Sequence, residues 1–199
     1  MRTTIFTISI IFLLLSLMGA RHEKVNELLW EISPDSKTAV IQQKVDGIEF
    51  KFCLLNEQGE PATVFKEGEN FSFFFSATNK SKRKLYFDPG FAYSKDIDFC
   101  KVYNSESENL GKPYNVISKV DLGPGAYPFE IGKSYIFQQP WSDTRESTWD
   151  WQYCLYESTK KEMLTLGSYY TEFKYKFKHA GDIPIQTDTL SFKIKFKIQ

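Results

Sequence analysis

The chain has 199 residues, 42% hydrophobic, 17% aromatic and 25% charged, with 25 Lys+Arg balanced by 25 Asp+Glu. That length supports one well-cored domain or two small ones, and the apolar content excludes a disordered chain. A formal net charge of zero argues against a dedicated nucleic-acid binder, which needs surplus cations to displace counterions, and against electrostatic recruitment to anionic membranes. Phe 18 and Tyr 11 lean toward β structure, because flat rings suit a pleated, half-buried surface.

The N-terminus reads as a secretory signal peptide over residues 1–20. Arg2 precedes an apolar run from Ile5 to Met18, small Gly19 and Ala20 follow, and the charged segment Arg21-His22-Glu23-Lys24 comes next. The run is shorter than the roughly 20 apolar residues of a spanning helix, so the chain is not expected to span a membrane once the signal is removed. The position of a lipidated cysteine is held by Arg21. Loss of residues 1–20 removes one cation, Arg2, and leaves a mature net charge of −1. The expected location is exported, periplasmic or extracellular.

Export places Cys53, Cys100 and Cys154 where disulfides persist. Three is odd, so one intramolecular bond at most forms. Cys53 lies within a regular strand pattern, which favours Cys100 with Cys154. The alternative is three small buried hydrophobes.

Residues 21–44 read as an N-terminal segment in which Val25, Leu28, Leu29 and Ile32 have helical spacing, so one short helix is expected over 22–32, stopped by Ser33-Pro34-Asp35. From residue 45 to 199 the pattern is all strand. Ile48, Phe50, Phe52 and Leu54 alternate with polar residues, and Asn56 to Pro61 turns the chain. Phe71, Phe73 and Phe75 share a face, with Phe74 opposite, so that strand should be covered on both sides. Residues 104–128 and 138–166 read as long, irregular loops around a short strand at Tyr135-Ile136-Phe137. Tyr169, Thr171, Phe173, Tyr175 and Phe177 form an alternating strand, a turn follows at 178–182, and Leu190, Phe192, Ile194, Phe196 and Ile198 close the chain. Ser191, Lys193, Lys195 and Lys197 opposite them make a solvated face or a guarded edge. No helix-period segment separates these strands, so the fold expected is an all-β antiparallel sandwich.

The residues Asp46-Gly47-Ile48, Leu55 to Pro61, Val64 to Asn70 and the aromatic strand ending Ala77-Thr78-Asn79 give a pattern. With Gly167-Ser168-Tyr169-Tyr170 later in the chain, it resembles immunoglobulin-like β-sandwich domains of bacterial exported proteins. It is also similar to the intracellular proteinase inhibitor (BsuPI-like) domains. The resemblance implies an immunoglobulin-like sandwich over 45–199 and a bacterial source. No residue here matches an inhibitory loop, so the inhibitor role is not carried over.

Catalytic chemistry is poorly provided for. The histidines are His22 and His179, neither near a Gly-x-Ser-x-Gly or similar nucleophile motif. There is no Cys-x-x-Cys, His-x-x-x-His or calcium-loop pattern, and no glycine-rich phosphate loop. Asp96 and Asp98 share a strand face, more simply read as a solvated edge. No enzyme activity, metal or cofactor is expected. Asn70-Phe71-Ser72 and Asn79-Lys80-Ser81 match the glycosylation sequon but matter only on a eukaryotic export route.

One segment stands out for binding. Trp141, Trp149 and Trp151 are three of the four tryptophans, and Trp149, Trp151 and Tyr153 alternate with Asp150 and Gln152. Such rings stack on sugars or grip a peptide when exposed, and fill the mouth of a sandwich when buried. The leading expectation is a non-catalytic exported binding or scaffolding module whose partner, a protein or a glycan, meets the long loops. A carbohydrate-binding accessory module and a proteinase-inhibitor-like protein are the alternatives.

Overall fold

The computed structural model describes residues 27–87, 100–113, 115–117, 127–142, 149–150, 154–157, 162–180 and 184–199. Residues 1–20, expected to be a signal peptide, and the first part of the expected helix lie outside them. The described chain is all-β and carries no helix.

The smaller main sheet is antiparallel, with β2 (Val40–Val45), β3 (Ile48–Leu55), β6 (Ser72–Asn79) and β12 (Ser134–Pro140) in the order β12-β6-β3-β2. Short β4 (Pro61–Ala62) adds to β3. β2 and β3 are joined by Asp46-Gly47, with φ of 49° and 82°. Two consecutive positive φ values make the tight hairpin turn whose twist matches the strands. A Cβ at Gly47 would come within 2.8 Å of Ser81 Cβ, so no side chain fits there.

The larger sheet is built on β15 (Gly167–Ala180) and β16 (Pro184–Ile198), paired from Gly167↔Ile198 to Ala180↔Pro184 with one irregularity between Lys176 and Lys178. His179 therefore lies in strand rather than in the expected turn. On its other side β15 is met first by β8 (Lys101–Asn104), which carries β9 (Asn109–Gly111), and then by β7 (Leu85–Phe87), which carries β11 (Tyr127–Phe129). The far side of β16 takes two parallel strands, β1 (Glu27–Ile32) and β5 (Val64–Phe65).

β1 corrects the expected helix. Its register runs from Glu27↔Thr189 to Ile32↔Ile194, and Trp30 packs on Phe192 at 5.2 Å between ring centroids. A short run of four apolar residues satisfies either period, and pairing to a long interior strand decides for β. The sheets also reach ahead of residue 45, since β1 and β2 are strands of the two sheets.

The core lies between the facing sheets. Ile48, Phe50, Phe52 and Leu54 are wholly buried on β3, as are Leu190, Phe192 and Ile194 on β16. Phe173 and Phe192 stack at 4.9 Å, and Phe52 and Phe75 from the opposite sheet meet Phe173 edge-on at 5.3 Å and 5.6 Å. Phe65, Phe71 and Phe196 extend the cluster, with Phe71–Phe196 at 5.2 Å. Each such ring contributes about 1.5–3 kcal/mol by leaving water, and each ring pair about 0.5–1.5 kcal/mol more. Phe74, on the outer face of β6, is half-buried rather than covered.

Asn79 closes one end of this core. Its side chain is fully buried, donates to Phe129 O (2.6 Å) and Arg83 O (2.8 Å), and accepts from Ser81 N (2.9 Å) and Ser81 Oγ (2.6 Å). It thereby ties the end of β6 to β11 of the other sheet. Such a spent, buried amide is no glycosylation acceptor in the folded protein. Thr171 Oγ1, by contrast, is a buried side-chain oxygen with no partner. Asn79→Ala should lower unfolding free energy by roughly 2–4 kcal/mol, whereas Thr171→Val should be neutral or stabilising, because only the first strands polar partners. Urea denaturation of both variants checks this; an Asn79→Ala loss no larger than that of a surface alanine contradicts it.

Candidate interaction surface

Trp141 follows β12 directly and is 2% exposed. Its ring lies parallel to Phe71 (6.0 Å, 6°), its N–H donates to Phe71 O (2.8 Å), and its Nε1 donates to Glu162 O (2.9 Å). Trp141 is therefore a core residue, not a ligand platform. Asn70 clamps the next residue from both sides: Ser142 N donates to its Oδ1 (3.0 Å), and its Nδ2 donates to Ser142 O (2.7 Å). Its own N–H donates to Glu57 Oε1 (3.1 Å). Asn70, the other sequon residue, is thus also committed.

These bonds have a consequence for the long loop. Ser142 is fixed to Asn70, and Glu162 is fixed to the indole of Trp141. The residues that flank 143–161, Ser142 and Glu162, are thus both held beside Trp141. Part of the excursion is strand. β13 (Trp149–Asp150) pairs with β14 (Cys154–Glu157) through Trp149↔Leu155 and Asp150↔Cys154. β10 (Asn115–Ile117) pairs with the other side of β14, from Asn115↔Glu157 to Ile117↔Leu155. The two segments expected to be irregular loops, 104–128 and 138–166, therefore join in a three-stranded ribbon. Periodicity could not show this, because strands of two to four residues are too short to carry a pattern. Trp149 lies on the ribbon in backbone position; Trp151 and Tyr153 lie outside the described residues.

Cys53 and Cys100 are buried free thiols. Cys100, expected to pair with Cys154, immediately precedes β8 and has its side chain wholly inside the core. The side chain of Cys154 lies outside the described residues. Burial pushes Cys53 up to about 11, against a smaller opposing pull from Lys51, and pushes Cys100 well up, against Lys112.

A cleft of about 560 Å³ opens at the loops after β3 and β5, lined by Asn56, Glu57, Gln58, Glu67 and Glu69 among others. Two of its carboxylates already accept backbone N–H bonds: Glu57 from Asn70 N in the next connection, and Glu69 Oε2 from Lys66 N (2.8 Å) within its own turn. Among the described residues no three His, Cys, Asp or Glu side chains are placed to hold a metal ion. No helix there is long and apolar enough to cross a membrane.

The outer face of the larger sheet has a different character. Lys193 lies 4.2 Å from the Tyr170 ring centroid, and that ring stacks on Tyr103 at 5.0 Å and 14°. Lys193 pairs with Glu172 (3.0 Å) and Lys195 with Glu31 (2.6 Å). Since β16 is flanked on both sides, its lysines form a solvated face and not an edge guard.

Comparison with protein-family models, curated proteins and solved structures gave no significant match.

The raised thiol pKa values predict that Cys53 and Cys100 resist iodoacetamide in the native protein at about pH 8, since the neutral thiol is the poor nucleophile. Both should alkylate fully in denaturant, as read by peptide mass spectrometry. Native labelling of Cys53 at the denatured rate contradicts its burial.

Proposed function

We propose that this chain is an exported, non-catalytic β-sandwich, immunoglobulin-like in plan, that binds a partner at the bacterial cell envelope through the region carried between Ser142 and Glu162. Its N-terminal pattern supports export. The interior filled with rings supports a scaffold role for the sandwich, because rigid frameworks present function on their connections. The observation that carries the reading is the anchored base. One hydrogen bond, from Trp141 Nε1 to Glu162 O, joins the two flanks of residues 143–161, and three more fix the first flank to Phe71 and Asn70. The ribbon pairing then ties that excursion to a second connection. Ordering a connection costs conformational entropy, so this much anchoring favours a binding element over a passive link.

The anchored base also makes the test clean. Replacing residues 143–161 with a short Gly-Ser linker leaves both ends where the sandwich already holds them. The excised protein should keep a cooperative unfolding transition yet lose retention on a bacterial cell-envelope preparation at about 0.5 M salt, where surface charge attraction is screened. Mass spectrometry of the exported chain should show Arg21 as its first residue. Equal retention of the intact and excised proteins, or an exported chain still beginning at Met1, overturns the reading.

A further inference from the structure

β12 lies at the edge of the smaller sheet, and no strand among the described residues pairs its open side. The ladder tells which backbone groups stand there. Trp141 N donates to Phe71 O, and Asn79 N donates to Lys133 O, so positions 133 and 141 are hydrogen-bonded toward β6. Such positions alternate along an antiparallel ladder. Tyr135, Phe137 and Gln139 therefore also direct their backbone groups to β6, whereas Ser134, Ile136, Gln138 and Pro140 direct theirs to the open side. Pro140, which has no N–H, falls at such an outward position, where a sheet tolerates proline. The side chains of Ser134, Ile136 and Gln138 are exposed.

Sheet edges are commonly guarded by charge, by bulges or by short strands. β12 has none of these: it runs for 7 residues without a charged side chain, and its register with β6 is unbroken. Among the described residues the other edge strands longer than three residues are β1 and β2, which carry Glu27 and Glu31, and Lys44. Apolar side chains gather on the same flank. Ile136 is 64% exposed, Ile131 in the turn between β11 and β12 is 61% exposed, and Tyr127 at the start of β11 is 51% exposed. β11 is the edge of the larger sheet and lies beside β12, since Tyr135 packs on Phe129 at 5.2 Å and donates to Pro128 O.

We propose that this edge is an interface between two copies of the chain, in which β12 pairs antiparallel with the partner's β12 about a two-fold axis at Ile136. In that register the N–H groups of Ser134, Ile136 and Gln138 meet the C=O groups of the partner's Gln138, the partner's Ile136 and the partner's Ser134. Ile136 lies opposite its own copy, Tyr135 opposite the partner's Phe137, and Lys133 opposite the partner's Gln139. Apolar side chains thus meet apolar ones, and no like charges face each other across the pair. A register shifted to centre on Phe137 sets Ile136 against the partner's Gln138 and leaves Ser134 O facing the partner's Pro140, which has no N–H to give. The same axis brings both β11 strands, with Tyr127 and Ile131, to the seam. At roughly 100 Å² for each half-exposed apolar side chain, and with the strip of edge backbone added, both copies together bury about 1,000 Å². That area sits at the lower bound for a specific interface, so the dimer is expected to form at about 10–100 µM. The two-fold uses the one β12 of each copy and closes the assembly at two. This inference does not rest on the role proposed for residues 143–161.

The test is sedimentation velocity of the chain from residue 21 onward, which includes every described residue, between about 1 µM and about 500 µM. The native chain should pass from monomer to dimer and no further. Ile136→Lys, which sets two ammonium groups face to face at the axis, should weaken dimerisation at least tenfold. Gln42→Lys, on the opposite edge of the same sheet, should dimerise like the native chain. Single cysteines read the register independently of any loss of folding in the lysine variant. Under diamide, Ile136→Cys should give a covalent dimer above the native background, because paired positions fall within disulfide reach, whereas Gln138→Cys should not. The proposal is overturned by a native chain that stays monomeric throughout, by species larger than a dimer, by Ile136→Lys dimerising like the native chain, or by Gln138→Cys crosslinking as readily as Ile136→Cys.

Discussion

The structure depends on rings from one sheet seating between rings of the other. Phe173 and Phe192 stack on neighbouring strands of the larger sheet, and Phe52 and Phe75 of the smaller sheet present their edges to them. Edge-to-face contact joins the positive rim of one ring to the negative face of another, so it sets the spacing and rotation of the sheets as well as burying area. Phe192 occupies the centre, touching Trp30, Phe50, Phe52, Phe75 and Phe173 from four other strands. Neither sheet could keep its apolar face in water alone, so each is the condition for the other.

Polar residues then fasten what the rings cannot reach. Asn79 spans the sheets at one end and Asn70 clamps Ser142 near the other, each using both the donor and acceptor sides of an amide. Trp141 does two jobs, stacking in the core through its ring and holding Glu162 through its indole N–H. These contacts turn a filled interior into a frame with defined outlets.

The alternation of side chains made most of the frame legible. Residues 48–54, 71–77 and 190–198 each bury the face that period two assigns to the core, because strands half-exposed to water must alternate. What escaped did so for physical reasons. Leu28, Leu29 and Ile32 fit a helix locally, and the parallel partner that makes them strand lies some 160 positions later, at Leu190 to Ile194. Lys178 and His179 look like turn residues, yet they pair with Gln186 and Ile185 and lengthen β15. Trp141 read as one of four candidate binding aromatics; only its three-dimensional neighbours reveal a core residue. The ribbon of β10, β13 and β14 has no sequence signature, since its pairs come from two separate irregular stretches.

The interlock of the two sheets at Phe192 is tested most directly by urea denaturation of Phe192→Ala, followed by near-ultraviolet dichroism and by amide exchange at β3 and β15. The account predicts a loss of about 3–5 kcal/mol, the usual cost of emptying a buried phenylalanine site, with β3 and β15 losing protection in one transition. A loss near 1 kcal/mol, or a smaller sheet that stays protected while the larger one opens, would contradict it.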